Sequence, residues 1–177
     1  VRELETVRGI SFEVRAGEVL GIAGVQGNGQ TELAEALTGL RPIESGQFSL
    51  AGIDLSGKTP RAITESGLAH IPEDRQKHGL VLSYTVADNL VLCDYYRPPF
   101  GKHGVLQQKA VDSNAQKLIK DYDVRTPSAF VSARKLSGGN QQKVIVAREL
   151  SRPVKLVVAS QPTRGLDVGS IEYIHKE

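Results

Sequence analysis

The feature that most constrains the fold is a glycine-rich segment at residues 24–31, which follows a short apolar run and opens a helical pattern. Its sequence, G-V-Q-G-N-G-Q-T, matches the phosphate-binding pattern G-x-x-x-x-G-K-[ST] at every fixed position but one. Glycines let such a loop curl so that successive backbone N–H groups point at phosphate oxygens, and the following helix adds the positive end of its dipole. The segment therefore predicts a phosphate site between a strand and a helix.

The residues expected to bind nucleotide are Gly24, Gln26, Gly27, Asn28, Gly29, Gln30 and Thr31. The Thr31 hydroxyl is placed to ligate Mg²⁺. Gln30 stands where the pattern has lysine, and losing a charged hydrogen bond worth about 1.5–3 kcal/mol should weaken nucleotide binding without abolishing it. From this motif alone, a glycine-rich turn without a ligand stays an alternative. A dinucleotide-binding loop is disfavoured, because the glycines run G-x-x-G-x-G and not G-x-G-x-x-G.

Apolar periodicity predicts an α/β chain. Short apolar or alternating runs predict strands over residues 18–23, 46–50, 68–71 and 156–159. Helical spacing and capping residues predict helices over residues 31–39, 59–67, 85–92, 105–122 and 141–151. Thr59 is expected to cap the second of these before Pro60, and Thr85 with Asp88 is expected to form a capping box at the start of the third. Strands near both ends and helices in the middle predict a mostly parallel α/β core, residues 1–81 and 141–177, interrupted by a helical subdomain, residues 82–140. Residues 95–104 form the least regular segment and predict an exposed loop.

The most specific string is L-S-G-G-N-Q-Q-K at residues 136–143. Ser-Gly-Gly directly before a helix predicts a second anion-binding helix N-terminus. A capped helix with flexible glycines would explain these three residues alone, but it would not explain the whole string of eight.

This string resembles the signature motif of ABC ATPases, in the form found in simple-sugar and nucleoside importers. Three other stretches resemble the same family in the same order: residues 37–46 after the first helix, residues 71–75 with 79–80 near the Q-loop, and residues 162–169 after the Walker B strand. The resemblance covers nearly the whole chain. It implies the P-loop NTPase fold of an ABC ATPase, cut short at its C-terminal end.

In that family two domains pair head to tail, and each ATP lies between the phosphate loop of one domain and the signature of the other. The resemblance implies that this chain supplies a signature to a partner's ATP through Leu136, Ser137, Gly138, Gly139, Asn140 and Gln141. It also implies a D-loop formed by Gly165, Leu166 and Asp167.

The chain departs from an active ATPase of this family at the end of its Walker B strand. Ser160 replaces the aspartate that holds Mg²⁺ through water, and Gln161 replaces the catalytic glutamate. A glutamine amide cannot accept a proton as a carboxylate can, and general-base catalysis contributes about 10²–10⁴ in rate. We therefore expect weak binding of ATP and Mg²⁺ and little or no hydrolysis at this chain's own site.

Other functional positions of the family are not evident. No Q-loop glutamine stands out, although Glu73 and Gln76 lie near its place, and Phe12 is the nearest candidate for the adenine-stacking aromatic. The switch histidine is expected beyond residue 177. His175 comes too early and is expected to be an ordinary surface residue.

Composition excludes several classes of protein. The 177 residues are 40% hydrophobic and contain no apolar run near the ~18 residues that span a bilayer, as expected for one soluble domain. A net charge of +2 gives no reason to expect nucleic-acid binding. The single cysteine, Cys93, cannot form an internal disulfide and favours a cytosolic location.

Our hypothesis is the second ATP-binding domain of a sugar or nucleoside importer, with a degenerate hydrolysis site of its own. Its partners would be another ABC domain, expected in the same polypeptide, a membrane permease and, indirectly, an extracytoplasmic solute-binding protein. The location would be cytoplasmic, on the inner face of the membrane. Two alternatives stay open: an ABC ATPase of DNA repair or translation, and a module that docks on a permease without holding nucleotide.

Overall fold

A computed structural model of the chain describes residues 7–176 and divides into two compact units, with the division between Leu68 and Ala69. Among the described residues, no helix has both the length and the apolar character needed to cross a membrane.

The first unit contains two helices and a hairpin. Helix α1 spans Gln30–Leu37 and helix α2 spans Pro60–Glu65, while strands β1, Ser49–Leu50, and β2, Ile53–Asp54, pair in antiparallel register. Helix α2 begins as its sequence predicts, with proline at the first helical position and the Thr59 hydroxyl accepting from the Ala62 N–H. The apolar core is small and is built on Ala34, Leu55 and Ile63.

The strand predicted over residues 18–23 is wrong. The segment has no regular secondary structure, and within the described part of the chain no strand is hydrogen-bonded to it. Its apolar side chains are exposed, with Val19 at 95% and Ile22 at 52% exposure. An apolar run becomes a strand only where a neighbouring strand satisfies its backbone groups, and periodicity alone does not reveal that neighbour.

The second unit begins with two strands that are far apart in sequence. Strand β3, Leu68–Ile71, and strand β6, Leu156–Ala159, form one sheet. Both agree with the predicted ranges. The Ser160 N–H continues the contact by donating to the Ile71 carbonyl at 2.9 Å. This pairing brings the two segments that follow the strands to one place.

The helical part of the second unit lies between these strands. Helix α3 spans Val86–Leu90, α4 spans Gln108–Asp121, α5 spans Gly138–Leu150 and α6 spans Val168–Lys176; a π-helical turn covers Arg75–Gly79 and a 3₁₀ turn covers Ala133–Lys135. The predicted capping box at Thr85 and Asp88 is confirmed. Within the predicted irregular loop, strand β4, Gly101–Lys102, begins an antiparallel hairpin with β5, Val105–Leu106.

The core of the second unit lies around α5, which is buried on nearly all sides. Val86 and Leu90 of α3, Val111 and Ala115 of α4, and Ile145 of α5 belong to one apolar cluster. A helix that is buried all round must satisfy its polar side chains within the protein.

Three charged side chains at the end of α5 form a buried cluster. The Glu149 carboxylate accepts from Arg148 at 2.9 Å and from Arg152 at 2.7 Å, and Arg148 also donates to the Gly79 carbonyl at 2.8 Å. Burial by itself would raise the pKa of Glu149, but the two guanidinium groups outweigh it and lower that pKa. The cluster connects α5 to the π-helical turn.

Cys93 lies beside this cluster as a free thiol, partly buried rather than fully buried. Its sulfur lies 3.4 Å from Glu149 Oε1. Burial, together with the nearby carboxylate, raises the pKa of Cys93 to about 11, so the thiol stays protonated at neutral pH.

Candidate functional site

The predicted phosphate loop leads directly into α1, as expected. Gly29 precedes the helix with a φ of 98°, which a residue with a side chain rarely adopts, and no side chain caps the helix N-terminus. Gly24, Gln26, Gly27 and Asn28 are exposed. The start of α1 thus has no side-chain cap among the described residues, as expected of a helix N-terminus that binds an anion.

The Gln30 side chain folds back along this loop. A Cβ atom added to Gly24 would lie 1.9 Å from Gln30 Nε2, so the amide lies directly against the glycine backbone. A side chain at position 24 would displace the Gln30 amide from this place. It also places a neutral amide beside the loop, at the position where the family pattern has a lysine ammonium.

The signature segment forms the start of α5, and its serine caps the helix. Ser137 Oγ accepts from the Asn140 N–H at 3.4 Å and from Asn140 Nδ2 at 2.9 Å. Asn140 Oδ1 in turn accepts from the Arg125 N–H at 2.7 Å. Ser137 is exposed, whereas Leu136 and Gly139 are buried. The exposed serine and first helical turn form a surface that a phosphate could approach.

The glutamines and lysine that follow are held inside the protein. Gln141 is 2% exposed, donates to the Ala133 carbonyl at 3.1 Å and accepts from Gln76 at 3.2 Å. Lys143 Nζ donates to Asp123 Oδ2 at 2.7 Å and lies 4.3 Å from the centre of the Tyr173 ring. The hydrogen bond from Lys143 lowers the pKa of Asp123. These contacts orient the helix that carries the signature.

The altered Walker B residues lie where β6 ends. Ser160 is bound to β3 through its backbone, as described above. Gln161 has a φ of 45°, and its Nε2 donates to Glu73 Oε1 at 3.1 Å. The same carboxylate forms an ion pair with Arg164. Glu73, a candidate for the Q-loop position, thus contacts Gln161, the residue predicted to replace the catalytic glutamate.

The D-loop lies against the signature of the same chain. Asp167 accepts from the Ser170 N–H at 3.0 Å and from Ser170 Oγ at 2.8 Å, and these hydrogen bonds lower the pKa of Asp167. A Cβ atom added to Gly139 would lie 2.2 Å from Ser170 Oγ. The second signature glycine is therefore required by packing within this chain.

Two functional contacts were missed by sequence reasoning. Arg75 Nη1 donates to the Arg164 carbonyl at 2.8 Å, and Arg164 pairs with Glu73. Charged residues just after two strands were the available signal, but nothing in the sequence shows that those strands are neighbours.

The donor atoms near these segments suit ATP better than Mg²⁺. The uncapped start of α1 offers N–H groups to phosphate oxygens. Thr31 in the first unit and Ser160 in the second unit each offer only a neutral hydroxyl, whereas protein sites for Mg²⁺ usually supply one or two carboxylates. Among the described residues, no group of three His, Cys, Asp or Glu side chains could hold a metal ion. When bound, Mg²⁺ would neutralise phosphate charge.

Solved structures define the class of protein. The fold matches the ATP-binding cassette MJ0796, in a dimeric post-hydrolysis state bound to ADP and Pi, with a TM-score of 0.79 and 21% identity over 97% of this chain and 72% of that chain. It also matches a nucleotide-free ATP-binding cassette from an ABC transporter, with a TM-score of 0.78 and 24% identity over 97% and 68% of the two chains. The chain has the P-loop NTPase fold of an ATP-binding cassette, which confirms the predicted fold class.

A family model described as ABC transporter matches residues 7–164. The chain belongs to the ABC transporter family. It is 54% identical to the guanosine import ATP-binding protein NupO of Bacillus subtilis, over 99% of this chain and 34% of that protein. It is also 54% identical to the nucleoside import ATP-binding protein NupA of Lactococcus lactis, over 96% and 34%. The chain thus spans about a third of the length of these relatives.

Less similar relatives are named for the import of sugars. The glucose import ATP-binding protein TsgD13 of Haloferax volcanii is 42% identical over 99% of this chain and 32% of its own length. The ribose import ATP-binding protein RbsA of Clostridium tetani is 38% identical over 96% of this chain and 34% of its own length.

Proposed function

We propose that this chain is an ATP-binding domain of a nucleoside importer that donates its signature to a partner domain and hydrolyses little or no ATP itself. One contrast carries the proposal. The signature begins a buried, fully supported helix at Ser137, whereas Gln30, Ser160 and Gln161 are neutral at the three positions where the family has charged catalytic groups.

The local geometry supports the loss of hydrolysis. The Gln161 amide is engaged with Glu73, and Arg164 neutralises that carboxylate. A neutral amide cannot take a proton from water, and the nearest carboxylate is held in an ion pair. The open start of α1 supports weak ATP binding at residues 24–31, with Thr31 as the weak Mg²⁺ ligand.

The nucleoside class of substrate follows from the relatives. The two relatives at 54% identity are named for guanosine and nucleoside import, and the sugar-import relatives are less similar. The partners would be a second ABC domain, a membrane permease and, through it, a solute-binding protein. The domain would work in the cytoplasm against the permease. Residues 82–140 would form the helical subdomain, and residues 1–81 and 141–177 the core.

A chimera tests this function. Residues 1–177 replace the matching third of NupO in B. subtilis cells, and guanosine uptake is measured. We expect uptake to be retained, to fall at least about tenfold with Ser137→Arg, which blocks the signature surface, and to change less than about twofold with Gln161→Ala. Equal expression of the three chimeras, checked by immunoblot, is the control. Uptake that tolerates Ser137→Arg but is lost with Gln161→Ala would reverse the proposed roles of the two sites.

A further inference from the structure

Two charged segments of the second unit contact each other and the signature as well as Gln161. Glu73 and Arg75 follow β3, and Arg164 lies in the turn after β6. The Glu73 carboxylate pairs with the Arg164 guanidinium, and Arg75 Nη1 donates to the Arg164 carbonyl at 2.8 Å. Both ends of Arg164, its side chain and its backbone, are therefore held by the segment that follows β3.

The Arg75 guanidinium also touches the signature. A Cβ atom added to Gly138 would lie 2.8 Å from Arg75 Nη2, and one added to Gly165 would lie 3.7 Å from the same atom. A single guanidinium thus lies between the first residue of α5 and the turn that leads to the D-loop.

Electrostatics shows that Arg75 does not lie there to stabilise α5. The N-terminus of a helix carries positive partial charge, so a guanidinium beside it is unfavourable. Arg75 Nε is also buried and has no hydrogen-bond partner among the described residues. The Arg164 carbonyl therefore supplies the hydrogen bond that holds Arg75 in an otherwise unfavourable place.

The signature also packs against Ser170, which is hydrogen-bonded to Asp167 of the D-loop. Ser170 is hydrogen-bonded to Asp167 and lies against Gly139, where an added Cβ would be 2.2 Å from Ser170 Oγ. Gly138 thus lies against Arg75, which is held by the Arg164 carbonyl, and Gly139 lies against Ser170, which is held by Asp167.

A small cavity of about 320 Å³ beside these residues does not suit an anion. It is lined by Glu73, Asp74, Arg75, Gln76, Arg164 and Gly165. The two carboxylates at its wall repel negative ligands, and Arg164 is already paired with one of them. The arginines here serve contacts within the chain rather than a bound phosphate.

We propose that Arg75 is a positioning residue for the signature, and that the Glu73–Arg164 ion pair holds Arg75's acceptor in place. Through these contacts the segment after β3 fixes the distance between the D-loop turn and the first turn of α5. This inference rests on the proposed function, because the signature acts on nucleotide held by a partner domain. A signature displaced by a fraction of an ångström would bind that nucleotide but stabilise its transition state less well.

Steady-state kinetics tests the inference. The rate of ATP hydrolysis is measured for the assembled pair of ATP-binding domains that contains this chain. We expect Arg75→Gln to lower kcat about tenfold to a hundredfold, with KM for ATP within about twofold, and Arg75→Lys to have a smaller effect. Glu73→Arg and Arg164→Glu should each lower kcat, and the double variant should recover at least about half of the activity, because the ion pair is restored with reversed charges. Arg134→Gln, an exposed arginine on the 3₁₀ turn, is the matched control.

Hydrogen exchange on this chain alone provides a second measurement. Arg75→Gln should speed amide exchange about tenfold in residues 139–142 and 162–167, and leave the amides of α4 unchanged. Unchanged exchange in both segments, an unchanged kcat, or a kcat preserved while KM rises would each overturn the positioning role. Failure of the proposed function has a different result: ATP turnover of the pair would then be indifferent to Gly138→Asp, whereas the exchange measurement would still decide the role of Arg75.

Discussion

The starts of α1 and α5 resemble each other in sequence but differ in structure. Helix α1 follows Gly29 and has no side-chain cap. Helix α5 follows Ser137, whose hydroxyl accepts from both the backbone and the side chain of Asn140. Both starts are rich in glycine and both were predicted to bind phosphate. The start of α1 has no side-chain cap, whereas the start of α5 is capped by Ser137.

The comparison shows that a chain can carry a phosphate-binding motif in its sequence without the structure leaving that motif free to bind a ligand. The start of α1 has no side-chain cap, and the neutral Gln30 stands where the phosphate-binding pattern has a lysine. The start of α5 has kept its motif and is supported by buried contacts along the whole helix. The region that has lost charge is exposed, and the region that has kept its sequence is well packed. Such a distribution is expected of a domain that acts on its partner's nucleotide through the signature at the start of α5.

The largest expected effect comes from restoring the lost charges. We expect the combination Gln30→Lys, Ser160→Asp and Gln161→Glu to raise Mg-ATP turnover by the chain about 10²–10⁴-fold, since it returns a general base and a metal anchor. A carboxylate at position 161 would face Glu73 across the present 3.1 Å contact, so adding Glu73→Gln should raise the rate further. Phosphate release at high protein concentration measures the turnover.

The matched control for this experiment is the pair Gln30→Lys and Ser160→Asp, which leaves Gln161 in place. It should bind Mg-ATP more tightly in calorimetry, but its turnover should stay near that of the original chain. If the full combination neither binds nor hydrolyses ATP, then the open start of α1 is a glycine-rich turn without a ligand, and the comparison of two phosphate sites fails.

Local sequence patterns predicted helices and caps well, but not contacts between distant segments. Thr59 and Thr85 cap their helices as expected, because a cap depends on residues three positions away. The Glu73–Arg164 pair joins residues 91 positions apart, and it depends on the pairing of β3 with β6.

The errors have the same physical origin. The strand predicted over residues 18–23 lacks a partner among the described residues, and a strand cannot be defined by one segment alone. The motifs themselves were found because each is a continuous string. Their mutual contacts, such as Ser170 against Gly139, became visible only in three dimensions.

The second prediction concerns the other end of α5. Glu149→Ala removes the acceptor shared by the buried guanidinium groups of Arg148 and Arg152, and it should lower the free energy of unfolding by about 3–5 kcal/mol. Urea denaturation measures this loss. Glu172→Ala on α6, at an exposed position, should change it by less than about 0.5 kcal/mol. Equal losses of unfolding free energy for Glu149→Ala and Glu172→Ala would mean that the buried charged cluster does not stabilise α5.

The pH dependence of stability provides an independent check on Glu149. Its folded pKa is lowered from an ordinary value of 4.5, so the stability that it contributes is complete above pH 4.5 and is lost as the pH falls below that value. The difference in unfolding free energy between the original chain and Glu149→Gln should therefore shrink on acidification below pH 4.5. A difference that stays constant across this range would contradict the ionised cluster.

The smallest expected effect compares the two helix starts directly. Ser137→Ala should lower the free energy of unfolding by about 0.5–1 kcal/mol, because the Asn140 N–H loses its acceptor at an exposed position. Ser137→Thr keeps the hydroxyl and should cost less. Gly29→Ala should cost about 1–2 kcal/mol for a different reason, since a side chain is strained at a φ of 98°.

Urea denaturation of these three variants separates the two causes. Adding Mg-ATP should stabilise the original chain and Ser137→Ala, but it should add little or no stability to Gly29→Ala, in which the start of α1 is blocked. If Ser137→Ala has no cost, the cap contributes nothing in solution and the two helix starts are equally open. The support of the signature would then have to come entirely from the contacts of Arg75, Ser170 and the buried body of α5.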